Sequence, residues 1–125
     1  MRDNFNINQL DESKLKMTME DANLLLQNEK KNFLFDIIDL DPYGSVVPFL
    51  DAAVDCIRDG GLLCITCTDT KVTCGPDISK CYYYYGSVRS RVQHFNEVAF
   101  YLMQNALRIV LSTISSAASR HCKYI

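Results

Sequence analysis

The stretch Phe35-Asp36-Ile37-Ile38-Asp39-Leu40-Asp41-Pro42-Tyr43-Gly44 narrows the possible folds of this chain more than any other. A largely apolar run breaks off in acids, a proline, an aromatic ring and a glycine. A run of this kind predicts a central strand of a parallel sheet, buried on both faces. Pro42 has no N–H to give to a ladder, so the strand stops there. Gly44 permits the turn that must follow. Ligands of open α/β sheets sit outside the carboxyl ends of the strands. Asp39, Asp41 and Tyr43 are thus delivered to the rim where such folds do chemistry.

The flanking sequence predicts more elements of the same architecture. Lys14–Met19 alternates polar and apolar residues, which predicts a first strand. Asp21 follows as a candidate cap for a helix from Ala22 to Asn28. The central strand is expected over Phe33–Leu40. Ser45 is placed to cap a second helix whose apolar positions, Val46 through Ile57, recur at helical spacing, with Gly60 and Gly61 closing it. Leu62–Thr68 predicts a third strand. The segment from Asp69 to Ser90, which includes Tyr82-Tyr83-Tyr84-Tyr85-Gly86, is expected to be a long loop, and Arg91–Ala118 the last helix. The order β-α-β-α-β-α implies a parallel sheet with flanking helices. Asp21, the pair Asp39/Asp41, and Thr68-Asp69 then converge on one rim.

A chain of 125 residues is one small domain or part of a larger one, and its 48% hydrophobic content is enough for a core. The net charge of -2 gives no global field that would attract nucleic acid. Lys80, Arg89 and Arg91, and later Arg120, His121 and Lys123, form local basic groups that read equally well as solvated surface. No apolar run is long enough to span a bilayer. No secretory signal is legible, so the six cysteines read as reduced thiols of an intracellular protein. Cys64 and Cys67 lie three apart in a strand-like run and point to opposite faces, which argues against a shared metal.

Two chemistries suit a strand ending in D-x-D. Magnesium-assisted phosphate chemistry, as in a phosphatase or nucleotide hydrolase, needs either a glycine-rich loop with Lys and Ser/Thr or a small residue where Tyr43 stands. The alternative is methyl transfer to an exocyclic amine. The lone pair of an aryl amine is delocalised into its ring. An acceptor for its N–H, such as the Asp41 carboxylate, localises that pair and orients it. Tyr43 offers a flat face on which an extruded base can stack. A third reading has no catalysis in this chain, which then serves as a folding fragment or interaction module.

Asp39-Leu40-Asp41-Pro42-Tyr43-Gly44, Pro48-Phe49-Leu50-Asp51-Ala52-Ala53-Val54, Asp59-Gly60-Gly61-Leu62-Leu63-Cys64 and Thr66-Cys67-Thr68-Asp69 together resemble the tRNA guanine-26 N2-dimethyltransferase family. Tyr85-Gly86-Ser87 and Ala106-Leu107-Arg108-Ile109-Val110-Leu111 continue the likeness. The resemblance implies a class I, Rossmann-like methyltransferase fold that uses S-adenosylmethionine. Residues 1–125 would be a single partial domain, the C-terminal part of the sheet, without the glycine-rich cofactor loop. It further implies tRNA as partner and is compatible with the nucleus or the mitochondrion as compartment; no membrane and no metal are expected in this segment. Asp41, Pro42, Tyr43 and Gly44 match the family's catalytic turn. Asp21 and Ala22 match the pair that touches the cofactor's adenine, and Asp39 is assigned to the same cofactor site. Departures are Asn96-Glu97 where the family carries His-Glu, and an apparent insertion from Phe100 to Ala106.

Overall fold

The computed structural model describes residues 7–8, 11, 13–88 and 98–125, the side chains of 98–101 excepted. Within these residues the elements are α1 (Ala22–Glu29), β1 (Phe35–Leu40), α2 (Val47–Cys56), β2 (Ile57–Ile65), α3 (Thr70–Thr73), α4 (Ile78–Tyr85) and α5 (Val98–Arg120). β1 and β2 pair in parallel. The first expected strand is a correction: Lys14–Met19 holds no regular structure, and Met19 is fully exposed. Alternation alone does not make a strand, because a strand needs a partner ladder for its N–H and C=O groups, and none pairs with this segment among the described residues.

α1 forms where the sequence places it. The Asp21 carboxylate accepts from the backbone N–H of Asn23 at 2.9 Å and of Leu24 at 3.2 Å, capping two orphan donors of the first turn. α2 starts one turn after the strand. Ser45 sits just outside its first turn, and its hydroxyl accepts from Val47 N–H at 3.3 Å. Pro48 then fills an early helical position where a missing N–H is harmless.

The sheet differs from expectation in four places. β1 begins at Phe35 rather than Phe33. α2 ends at Cys56, and the glycines expected to close it lie inside β2. Phe35 pairs with Ile57 and Ile37 with Leu62, so five steps along β2 match two along β1. The excess is a bulge over Arg58–Gly61, and Gly60 supplies its positive φ of 74°. β2 stops at Ile65, leaving Thr66–Thr68 beyond the strand end.

The fourth difference is burial. The register puts Ile38 beside Leu63 and Leu40 beside Ile65. That face packs on Leu50, Ala53 and Val54 of α2 and on Ile114, Ala117 and Ala118 of α5. The opposite face carries Ile37 beside Leu62, 61% and 56% exposed, and Asp39 beside Cys64. The strand is therefore buried on one face, not two, because every described helix in that core packs on the same side.

The expected long loop is mostly helix. Asp77 accepts from Lys80 N–H at 3.1 Å, and Gly86, in the left-handed region, closes α4 with its N–H on Tyr82 O at 2.8 Å. α5 runs without a break through Phe100–Ala106. The start expected at Arg91, with Val92 and Phe95, and the basic pair Arg89 and Arg91 lie outside the described residues. The cysteines are free thiols. No helix among the described residues is long and apolar enough to cross a membrane.

Candidate active site

The strand ends meet where β1 and β2 finish. Thr66 N–H donates to Leu40 O at 2.8 Å, which extends the pairing one step past β2. Asp41 and Pro42 follow, then Tyr43 and Gly44. Gly44 has φ 85°, which is costly for any residue with a Cβ. Its N–H donates to Thr68 Oγ1 at 3.1 Å, and Thr68 N–H donates back to Gly44 O at 3.1 Å. The turn after β1 is thereby laced to the segment after β2 by a reciprocal pair of bonds.

Beneath this lacing lies the Tyr85 phenol, 5% exposed. Its oxygen is 3.0 Å from Ser45 Oγ, 3.1 Å from Asp69 Oδ2 and 3.5 Å from Cys67 Sγ. A phenol has one hydrogen, and the carboxylate, which only accepts, takes it. Ser45 Oγ–H then donates to the phenol oxygen while its own lone pair holds Val47 N–H. Burial first, then the Cys67 contact, pushes the phenol far above its ordinary range, so it stays a donor. The Thr113 hydroxyl of α5, whose nearer acceptor is Ile109 O at 2.9 Å, also lies 3.3 Å from Tyr85 O.

Above the lacing the polar groups are exposed. Tyr43 projects fully into solvent, at 107% of its reference area. Asp39 and Asp41 are exposed, and Pro42 is half-buried. Asp36, Asp51 and Asp55 are each ion-paired, with Arg58 at 2.7 Å, Arg120 at 2.9 Å and Lys30 at 2.6 Å respectively. Among the described residues the Asp39 and Asp41 carboxylates have no such partner. They are acceptors left unspent at a strand end.

The structure brings Asp41, Pro42, Tyr43 and Gly44 together with Thr68 and Asp69. Asp39 lies on the open sheet face, one residue before the strand's last. Asp21 and Ala22 begin α1, which is tied to α2 by Leu26 packing in the common core and by Cys56 Sγ–H on Leu26 O at 3.2 Å. Next to them, Asn23 Oδ1 is buried with no hydrogen-bond partner among the described residues, a condition that disfavours an acceptor unless something donates to it. The sequence pattern does not single out Tyr85, which falls in the expected loop. The signal that finds it is the pair of caps Asp77 and Gly86, which sets the helix phase and turns Cys81 and Tyr85 inward.

Three cavities, of about 360, 270 and 440 Å³, are lined by β2, α3, α5 and the C-terminal residues. None of the three is lined by Asp21, Asp39, Asp41 or Tyr43. The candidate site is an open rim.

The protein is of the α/β class, a parallel strand pair with flanking helices, and it presents exposed acids and an exposed aromatic ring at the carboxyl rim, where open α/β sheets bind ligands. The chain belongs to the N2,N2-dimethylguanosine tRNA methyltransferase family, whose model matches residues 1–125. Similar proteins include the tRNA (guanine(26)-N(2))-dimethyltransferase of Mus musculus, 45% identical over 106 residues, which are 84% of this chain and 15% of the relative. That of Drosophila melanogaster is 46% identical over 102 residues, 82% of this chain and 16% of the relative. The mitochondrial enzyme of Saccharomyces cerevisiae is 39% identical over 116 residues, 91% of this chain and 19% of the relative. The chain thus spans between 15% and 19% of the length of these three relatives. A methyl donor belongs to the chemistry of such a family.

Proposed function

We propose that this chain carries the catalytic strand and turn of a tRNA guanine N2-dimethyltransferase, within a partial Rossmann-like domain. The observation that carries the reading is the Asp41–Gly44 turn. It is fixed from below by hydrogen bonds while the Asp41 carboxylate and the Tyr43 ring stay uncommitted above. The relatives are named for dimethylation of guanine 26 of tRNA, which supplies the substrate. The open face with Ile37 and Leu62 supports the partial-domain reading, since further chain of the longer protein would cover it.

In this reading Asp41 accepts from the N2–H of the target guanine. It keeps the nitrogen lone pair out of the ring and takes the proton that the amine must shed. Tyr43 stacks on the extruded base and sets its plane. Gly44 lets the backbone turn tightly enough for both side chains to share one rim. S-adenosylmethionine, when bound, supplies a methyl group on a positively charged sulfur. The residues fit such a donor: it is cationic and rich in N–H and O–H groups, and this end of the chain offers exposed carboxylates and the orphaned Asn23 Oδ1. Asp21 and Ala22 would hold its adenine, with Asp39 alongside. The compartment is one that holds tRNA; the yeast relative is named as mitochondrial.

The test uses full-length protein carrying this segment, labelled S-adenosylmethionine, and tRNA transcripts with guanine or inosine at the target position. Inosine lacks the exocyclic amine. Label is expected in the guanine transcript alone. Equal labelling of the inosine transcript, or no labelling of either, overturns the reading.

A further inference from the structure

The buried phenol of Tyr85 does not reach the rim, yet it touches both segments that hold the Asp41–Gly44 turn. On one side is Ser45, the residue directly after the turn. On the other are Cys67 and Asp69, which flank Thr68, the residue that exchanges two hydrogen bonds with Gly44. The bonds run in one direction, from Val47 N–H to Ser45 Oγ, from Ser45 Oγ–H to the phenol oxygen, and from the phenol O–H to Asp69 Oδ2. Each donor is used once and each acceptor has lone pairs to spare. The ring itself is locked by Cys81 and Ile109, with Val47, Cys67 and Val110 around them. The Thr113 hydroxyl lies against the far end of the residue, 3.3 Å from its carbonyl oxygen.

We infer that Tyr85 is a positioning residue that sets the height and angle of the Asp41–Gly44 turn by clamping Ser45 to Asp69. The inference rests on the methyl-transfer reading for its catalytic consequence, although the clamp stands on the hydrogen bonds alone. Core packing explains a buried ring, and phenylalanine would satisfy it equally. It does not explain a phenol hydroxyl placed between the turn after one strand and the segment after its neighbour. Transfer to a weakly nucleophilic amine needs the acceptor and the stacking face held within about 0.5 Å, and a 1 Å misplacement costs about 100-fold. A clamp outside the substrate's reach supplies that precision without occupying the rim.

The experiment compares wild type, Tyr85→Phe, Asp69→Ala and the double variant in the full-length protein. Tyr85→Phe keeps the ring and removes only the hydroxyl. Two readouts are taken: kcat and KM for methyl transfer to tRNA, and hydrogen exchange of the backbone amides of Gly44 and Thr68. The expected result is a fall in kcat of roughly 10- to 100-fold, KM for tRNA within about twofold, and faster exchange at both amides. The double variant should lose little more than either single one, because both break one unit. Tyr85→Phe with unchanged exchange and kcat within about twofold overturns the inference, as does a strictly multiplicative double variant. If wild type transfers no methyl group at all, the functional reading fails, and amide exchange alone then decides whether the clamp exists.

Discussion

The two ends of α2 are held in opposite ways. At its amino end the turn after β1 is fastened by part-buried hydrogen bonds through Ser45 and Tyr85, with the Asp69 carboxylate as the charged acceptor, and Asp39 and Asp41 remain exposed. At its carboxyl end the acids are all in use. Arg120 forks onto Asp51 at 3.0 Å to each oxygen, and His121 sits 3.3 Å from both Asp51 and Asp55. Lys30 pairs with Asp55, and Lys123 donates to Val54 O at 2.9 Å and to Ile57 O. Exposed ion pairs contribute little to stability, and buried hydrogen bonds place groups more exactingly. The end proposed to orient a substrate thus commits one carboxylate, that of Asp69, to the scaffold and leaves Asp39 and Asp41 without an ion-pair partner among the described residues.

The largest stability effect belongs to what both ends share. Leu50 is 1% exposed at the centre of the core, so Leu50→Ala should destabilise by about 2–5 kcal/mol, read as a lower urea midpoint. A change under about 1 kcal/mol would mean that the core described here is not the one that holds the protein together. Next comes the amino end. A Cβ at Gly44 meets nothing within 4 Å, so Gly44→Ala feels only its φ of 85° and should lose about 1–2 kcal/mol. A neutral outcome would show that the turn relaxes freely and is not fastened.

The carboxyl end should respond less. Asp51→Ala removes the Arg120 fork at an exposed site and should lose less than about 1 kcal/mol at low ionic strength. The loss should shrink near 1 M salt, where the screening length is about 3 Å. A large, salt-independent loss would erase the contrast between the ends. The smallest effect is a pH dependence. The hydrogen bond from Lys30, opposed by partial burial and helped by His121, holds the Asp55 carboxyl below its ordinary range. A depressed folded pKa gives stability that is complete above the unfolded value, near pH 4, and is lost as pH falls through the folded one. Wild type should exceed Lys30→Met in unfolding midpoint at pH 7 and lose that advantage below about pH 4. An advantage that persists at lower pH would assign the stabilisation elsewhere.

Much of the site was legible because its punctuation is chemical. Pro42 cannot continue a ladder and Gly44 alone tolerates its φ, so the end of β1 and the rim position of Asp41 and Tyr43 follow from residue types. Asp21 likewise announced its cap. The first strand was not legible, since Lys14–Met19 has the alternation of a strand and no described neighbour to pair with. Burial of β1 was overestimated for a related reason: an apolar run records what a face would prefer, while Ile37 and Leu62 show what is covered. Gly60 and Gly61 looked like a helix stop and are a bulge, because Ile57 had already entered the sheet. Tyr85 was hidden among four consecutive tyrosines, of which only the helix phase selects one for burial.

The central claim is that Asp41, exposed and unpaired, works on substrate and not on the fold. It is tested by methyl transfer to tRNA in full-length protein carrying Asp41→Ala, with the unfolding midpoint measured on the same preparation. The account predicts a loss of kcat of roughly 10²- to 10⁴-fold with an unchanged midpoint. A variant that methylates guanine at the wild-type rate, or that loses activity only in step with its stability, would contradict it.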